Sequence, residues 1–405
     1  MNSTPLAERP RIVILGETNA GKSSLLNAIF EKDVAIISDT PGTTTDPVTR
    51  AYELPDAGPV AITDTAGLGD DTELGELRMK KTRSMIDAAD IALVVCPLDR
   101  PPTQQELSLI AELSKRKKNY LIAVSFTDKT PDRKRERWLE GKDHIKVSSV
   151  TKEGVPQLRK KLAELVKKTG TEPGPLEGLI QEGQMVLLVV PIDLAAPQGR
   201  LILPQVETIR NALDFDAHAL VVKERELYSV YSKLPEPPAL VVTDSQVFFK
   251  VAADIAPGQM LTSFSILFAR KKGRLSQYVR GLAALTDFPR GKKVLVIESC
   301  SHHRGPDDIA TVKIPRLFHQ LVDSRIAFDH ARELPEDLSA YGLVIHCGGC
   351  MVGRSAILSR LRRLAEAGIP VTNYGLFLAW AHGLLPRALE PFPYEYELYK
   401  KITRK

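Results

Sequence analysis

Gly16-Glu17-Thr18-Asn19-Ala20-Gly21-Lys22-Ser23 decides the fold of the first part of the chain. It fits the pattern G-x-x-x-x-G-K-[ST], which carries meaning only between a strand and a helix. RIVILG over 11–16 is an apolar run of strand length, and residues 22–30 read as a helix. In that setting the glycines let backbone N–H groups wrap phosphates at a helix N-terminus. Lys22 can then reach the β- and γ-phosphates and Ser23 can ligate Mg²⁺. Gly16, Asn19, Ala20, Gly21 and Ser24 complete the candidate cradle. An eight-residue pattern can also match by chance; the flanking strand and helix argue against that here.

Two further segments support a nucleotide site. Asp64-Thr65-Ala66-Gly67 follows the strand-like run VAITD over 60–64. Asp64 at a strand end can hold Mg²⁺ through water, and the Gly67 N–H can meet a γ-phosphate. Alone, D-x-x-G marks a turn; after a phosphate loop at this spacing it reads as a second nucleotide motif. Between them, Pro41-Gly42-Thr43-Thr44-Thr45-Asp46 supplies hydroxyls, one of which can complete a Mg²⁺ shell. The bland alternative is a polar loop.

Working outward, IALVVCPL (91–98) and LIAVSF (121–126) are further buried-strand candidates, and 73–88, 103–116 and 155–168 read as helices. That alternation predicts a doubly wound α/β domain with a mainly parallel sheet over 8–168. Pro and Gly in 168–175 mark a linker. A second, smaller α/β block follows over 176–268, with strands expected at 185–192, 218–222, 239–243 and 260–267. The basic stretch RKKGRL (270–275) separates it from a third α/β block over 276–405. There, strands are expected at 293–299, 325–330, 341–347 and 369–374, and helices near 309–322 and 353–367. No solenoid-period repeat and no low-complexity tract is evident.

The chain has 405 residues and an ordinary globular composition, 43% hydrophobic and 26% charged, which argues against bulk disorder or a fibrous protein. No apolar run approaches the ~18 residues of a membrane span. The N-terminus lacks a secretory apolar region, so a cytoplasmic protein is expected. Residues 270–405 hold 22 basic and 13 acidic side chains, net +9, against −4 for the rest. Such a basic third suits nucleic acid, an acidic partner or an anionic ligand, or is simply a solvated surface.

Four cysteines make no disulfide framework; in a reducing compartment they are core, metal or redox groups. Cys96 lies in an apolar strand and reads as core. Cys300-Ser301-His302 and His346-Cys347-Gly348-Gly349-Cys350 each end a predicted strand. Ligands gather outside the carboxyl ends of strands in open parallel sheets, so both segments are expected in one crevice. Spacing alone leaves two metals open. Zn²⁺ takes a closed tetrahedron of Cys and His. An iron–sulfur cluster takes thiolates, and three Cys plus one further group suits a 4Fe–4S cluster. A metal-free site remains a third reading. A thioredoxin-like pair gives His302 and Cys300 no role. His303 reads as a surface group.

Over residues 8–168 the motifs resemble the translation-factor-like GTPases, in the branch of the tRNA-modification and ribosome-assembly enzymes. The resemblance implies GTP/GDP and Mg²⁺, with Thr44 on the metal in the triphosphate state. The guanine-reading N-K-x-D motif of that class corresponds here to Ser125-Phe126-Thr127-Asp128, which keeps Asp128 but replaces Asn and Lys. Ser148-Ser149-Val150 stands at the S-A-K loop. Leu68 follows Gly67 where Ras-like enzymes have a water-orienting Gln. Asn19 matches the asparagine that helps bind K⁺ in this branch, and Glu73 or Glu76 matches its acidic helper. The resemblance therefore implies slow, K⁺-stimulated GTP hydrolysis.

C-x-H, forty-three residues, then H-C-x-x-C, behind a GTPase domain and a small middle domain, is similar to the HydF family of [FeFe]-hydrogenase maturation GTPases. The resemblance spans nearly the whole chain. It implies a 4Fe–4S cluster on Cys300, Cys347 and Cys350, with a fourth ligand from His302, His346 or Glu298. It implies a homodimer formed through the middle domain, and a scaffold passing a diiron precursor to apo-[FeFe]-hydrogenase alongside radical-SAM maturases. Positive charge at Arg304, Lys313, Arg316 and Arg354 would suit an anionic precursor. The alternative is a zinc-containing GTPase of RNA modification or ribosome assembly. Against it, residues 276–405 lack an aromatic-rich binding stripe, so nucleic acid is not the expected partner. Tyr394, Tyr396 and Tyr399 are expected to pack on the core or on a partner.

Overall fold

The computed structural model describes residues 6, 8–30, 48–64, 82–169, 172–191, 201–299 and 308–403. It divides into two compact units, Met1–Thr171 and Glu172–Lys405.

The first unit runs β1 (Arg11–Leu15), α1 (Lys22–Ile29), β2 (Val48–Leu54), β3 (Gly58–Asp64), α2 (82–88), β4 (Ile91–Pro97), α3 (Gln104–Lys115), β5 (Asn119–Ser125), α4 (Arg133–Leu139), β6 (His144–Lys146) and α5 (Val155–Lys168). Its six strands lie in the order β2-β3-β1-β4-β5-β6. Only β2 is antiparallel, at one edge. The expected mainly parallel α/β unit is therefore present. Helices cover both faces, so the central strands carry apolar residues at every position; all seven residues of β4 are buried. Alternate residues feed two cores. Ile12, Ile14, Leu93 and Val95 pack with Leu25 of α1 and Leu158 and Leu162 of α5. Val13, Leu15, Val94 and Cys96 pack with Leu109 and Leu113 of α3. Cys96 is fully buried. Strands β2 and β6 were not expected. The first mixes Arg50 and Glu53 into its alternation, as an edge strand tolerates, and the second has three residues. Of the helix expected over 73–88, residues 82–88 are helical and 73–81 lie outside the described residues.

The second unit runs β7 (Met185–Val189), α6 (Leu203–Asp214), β8 (His218–Val222), α7 (Leu227–Tyr231), β9 (Leu240–Thr243), α8 (Phe248–Asp254), β10 (Leu261–Ser263), α9 (Phe264–Lys272) and α10 (Leu275–Gly281). It continues with β11 (Lys293–Ile297), α11 (Ile314–Leu321), β12 (Phe328–Ala331), β13 (Tyr341–His346), α12 (Arg354–Glu366), β14 (Val371–Asn373), α13 (Tyr374–Ala381), α14 (Leu385–Leu389) and α15 (Pro393–Thr403). Two four-stranded parallel sheets result, β10-β9-β7-β8 and β12-β11-β13-β14.

Read from the other end, the first of these sheets has the same strand order as the second, and the registers match. Val189 pairs with Val222 and Thr243, as Ile297 pairs with Ala331 and His346. Ser263 pairs with Thr243, as Asn373 pairs with His346. In both halves the fourth strand runs straight into a helix whose capping side chain closes the first turn: Ser263 accepts from the Ile266 N–H and Asn373 from the Leu376 N–H. A single hydrophobic core runs through both sheets, from Leu176 to Phe392.

The strand expected over 260–267 is corrected to a three-residue strand followed by α9. Its apolar run is unbroken, so periodicity could not separate a buried strand from a buried helix; the cap at Ser263 marks the change. The strand expected over 325–330 lies at Phe328–Ala331. The basic stretch is no open spacer. Arg270, Lys271 and Lys272 form the last turn of α9, and Lys272 is 1% exposed. Glu172 meets both lysines, at 3.1 Å from Lys272 and 3.7 Å from Lys271, and Glu207 pairs with Lys271. Tyr396 and Tyr399 pack against the core from α15, while Tyr394 is exposed. No helix among the described residues is long and apolar enough to cross a membrane.

Candidate functional site

In the first unit, β1 delivers the phosphate-loop residues to the carboxyl end of the sheet. Gly16 is required there by close approach: a Cβ would stand 2.6 Å from the Val95 carbonyl oxygen. Ala20 is buried and tied back to Glu17 by a 3.2 Å backbone bond. Asn19, Ser23 and Ser24 are exposed, and Asn19 holds a left-handed backbone, φ 60°. Gly21, also left-handed at φ 87°, opens α1.

Lys22 is buried, and its ammonium donates to the carbonyls of Gly16 (3.0 Å) and Glu17 (2.7 Å). Burial lowers its pKa, and the carboxylates of Asp64 and Glu17 oppose that. A cation is thus held over the loop. Thr103 donates its hydroxyl to the Glu17 carboxylate, fixing the loop from the start of α3. β3 lies parallel to β1 with Asp64 opposite Ile14. That register brings Asp64 Oδ2 to 3.4 Å from Ser23 Oγ, so the two expected Mg²⁺ groups meet. Thr44, Gly67, Glu73 and Glu76 lie outside the described residues, as does Leu68.

At the base end, Ser148 is fully buried and donates to Asp128 Oδ1 at 2.8 Å. The same hydroxyl accepts from the N–H groups of Val150 and Thr151 at 3.2 and 3.1 Å, which fixes its direction. The exposed Asp128 carboxylate is therefore pre-aimed. Ser125, which sequence reading treated only as a lost asparagine, is 1% exposed and donates to the Ala20 carbonyl at 2.7 Å. It ties the base loop to the phosphate loop. Its signal in the sequence was a small hydroxyl directly after the apolar run Leu121-Ile122-Ala123-Val124.

In the second unit, Cys347 and Cys350 follow β13, at the carboxyl end of its sheet. Gly349 takes φ 65°, the left-handed turn that brings the second thiol round. Cys347 donates its N–H to the Ile297 carbonyl (2.9 Å), and Ser299 donates its N–H to Cys347 Sγ (3.4 Å). Glu298, buried, sits beside them at the end of β11. Tyr278, from α10, is buried and has its pKa raised by burial and by Cys347. Cys300 and His302 lie outside the described residues, with His303 and Arg304. Among the described residues no group of three His, Cys, Asp or Glu is arranged to hold a metal.

His346 sits differently from a ligand. It is 1% exposed; Nδ1 donates to the Cys347 carbonyl (2.7 Å) and Nε2 accepts from Arg360 (2.9 Å). Neither nitrogen has a lone pair left to offer a metal in this arrangement. Arg360, which sequence reading missed, also donates to Ser299 Oγ (2.9 Å), which places a cation beside the residue whose N–H meets Cys347 sulfur. Of the expected basic set, Lys313 reaches Gln246 (2.8 Å), Arg316 is exposed, and Arg354 turns to the Lys271 carbonyl. The Arg354 N–H donates to the Glu172 carboxylate (3.2 Å) at the start of α12.

Two sequence models of hydrogen maturase F match the second unit: its dimerization domain over residues 176–273 and its tetramerization domain over 276–391. The model of the 50S ribosome-binding GTPase matches residues 11–126. Among curated proteins, the tRNA modification GTPase MnmE of Clostridioides difficile (strain 630) is 29% identical over 40% of this chain and 36% of its own length. MnmE of Alkaliphilus metalliredigens (strain QYMF) is 32% identical over 41% of this chain and 36% of its own. The chain thus spans little more than a third of the curated relatives it matches. Among solved structures, the G domain of the T. maritima FeoB iron transporter is 27% identical, with TM-score 0.30, covering 38% of this chain and 97% of that one.

Proposed function

We propose, because the chain belongs to the hydrogen maturase F family, that it is a GTP-hydrolysing carrier that matures [FeFe]-hydrogenase. Residues 8–168 bind and hydrolyse GTP, 176–268 dimerise, and 276–405 hold a 4Fe–4S cluster and a diiron precursor destined for the apo-hydrogenase. The observation that carries the reading is the joint presence of a built nucleotide site, in a segment matched by a GTPase model, and a C-x-x-C loop at a sheet's carboxyl end, in a segment matched by a model of this family.

Gly16–Ser24 cradle the phosphates, with Lys22 swinging from its own loop carbonyls onto them. Ser23 and Asp64 fit a Mg²⁺ ion, being polar oxygens 3.4 Å apart beside the cradle; the ion would neutralise charge on the β- and γ-phosphates. Thr44 and Gly67 complete the triphosphate contacts, and Asn19 takes K⁺. With Leu68 after Gly67, no Gln orients the water, so turnover is slow and K⁺-dependent. Asp128 reads guanine.

The described thiols fit thiolate ligation: Cys347 and Cys350 share one loop and a backbone N–H already meets Cys347 sulfur. Cys300 supplies the third thiolate, and Glu298 or His302 the labile fourth ligand. When bound, the cluster would offer the precursor the iron from which the labile fourth ligand departs. His346 and Arg360 position Cys347, and Arg360 adds positive charge. The domain names of the family models favour self-association. The protein works in the cytoplasm with radical-SAM maturases.

The test is activation. Protein matured with the radical-SAM enzymes and purified should switch on apo-[FeFe]-hydrogenase, and the Cys347→Ala variant should not. Equal activation by both would sink the carrier reading. The relatives named for tRNA modification match about 40% of this chain, so they carry the RNA-handling alternative no further than that share.

A further inference from the structure

We propose that Phe126 is the aromatic wall on which the nucleotide base stacks, leaving Asp128 as the group of that loop that selects guanine. The inference rests on the GTPase reading and deepens its nucleotide site.

The chain leaves β5 at Ser125 and turns at once. Phe126 has φ 58°, a left-handed backbone that a bulky residue adopts only when its surroundings impose it. Three contacts impose it. Ser125 is anchored to the Ala20 carbonyl. The Lys129 N–H closes the turn on the Phe126 carbonyl at 3.1 Å. The Lys129 ammonium stands 4.2 Å from the ring centroid and pairs with Asp99 at 2.8 Å, so the ring is held by a cation that is itself held.

The strained turn carries the ring to the phosphate loop. A Cβ on Gly21 would stand 3.2 Å from Phe126 Cζ, so the ring edge sits on the residue that opens α1. Asp128, two residues on, is pre-aimed by Ser148. A nucleotide with its phosphates on the α1 N-terminus and its base at Asp128 must pass this ring. Phe126 is half-buried rather than sealed in the core, so part of the ring is open to it. Packing alone would not require a left-handed aromatic residue at this place. Stacking tolerates any base, because every base has a π-face. The base's share of the affinity then comes largely from Phe126 and its selectivity from Asp128.

The test is calorimetric titration of the full chain with GDP and with inosine diphosphate, which lacks the exocyclic amine that a carboxylate reads. Phe126→Ala should weaken both by the same factor, about tenfold or more, leaving their ratio unchanged. Phe126→Tyr should restore binding, and it decides the matter should the Ala variant fold poorly. Asp128→Ala should instead erase the preference for GDP. The proposal is overturned by a Phe126→Ala variant that binds GDP as the parent does, by a changed GDP-to-inosine ratio in that variant, or by a Tyr variant as weak as Ala. A parent protein that binds no GDP would remove the nucleotide-site reading itself.

Discussion

The side-chain amide of Asn373 donates to both the carbonyl and the hydroxyl of Ser265, at 3.1 Å each. These residues lie at the same junction in the two halves of the second unit, where the fourth strand passes into its helix. A Cβ on Gly375 would fall 2.7 Å from Ser265 Cβ, so equivalent positions of the two halves touch. The thiol-bearing half is thereby braced by a copy that carries Asp244 where it carries Cys347.

Gly375→Ala should destabilise the protein by about 1–3 kcal/mol, because overpacking here has only side-chain and helix positions to move. Urea unfolding followed by circular dichroism measures it. An unchanged midpoint would show that the junction yields freely.

Glu172→Ala should destabilise by roughly 2–4 kcal/mol, since it removes a partner of Lys272, whose side chain is 1% exposed, and the acceptor at the start of α12. Glu172→Gln should recover part of that loss by keeping the acceptor. Equal stability of all three proteins would contradict the buried-pair account.

Much of this was legible beforehand, for physical reasons. Buried parallel strands are uninterrupted apolar runs, so β1, β4 and β5 stood out. Lys22, Ser23 and Asp64 were named because phosphate chemistry needs those groups at those spacings, and Asp128 and Ser148 because the segments that hold them resemble the guanine-reading motifs of the GTPases. The duplication was not legible. Leu261-Thr262-Ser263-Phe264 and Val371-Thr372-Asn373-Tyr374 share a pattern and one identity, the threonine, and the strand registers align them. Ser125 and Arg360 were missed because their work depends on partners distant in sequence, the Ala20 carbonyl and the His346 ring. His346 was credited as a possible ligand because spacing does not show that both nitrogens are engaged.

Cys96 should resist a thiol reagent at pH 8 in the native protein and react after unfolding. Burial, with the Glu106 carboxylate next, pushes its thiol up to about 12. The native state thus holds this proton more tightly than the unfolded chain, whose thiol titrates near ~8.5. Its contribution to stability is present below that pH and is lost as pH rises toward about 12. Rapid native labelling at position 96 would contradict the burial of β4.

Lys22→Ala should cut the GTP hydrolysis rate by at least ~10²-fold, the size expected for one charge-stabilising group. Asn19→Ala should lower hydrolysis in KCl toward the level the parent shows in NaCl. Steady-state phosphate release in the two salts checks both. Equal parent rates in KCl and NaCl would remove the K⁺ role.

The central claim is that one chain joins a GTPase to an iron–sulfur carrier. The most direct measurement is the EPR spectrum of anaerobically reconstituted, reduced protein beside Cys300→Ala and Cys347→Ala. The account predicts a 4Fe–4S signal in the parent that is lost or strongly diminished in both variants. Stoichiometric zinc with no cluster in the parent would contradict it.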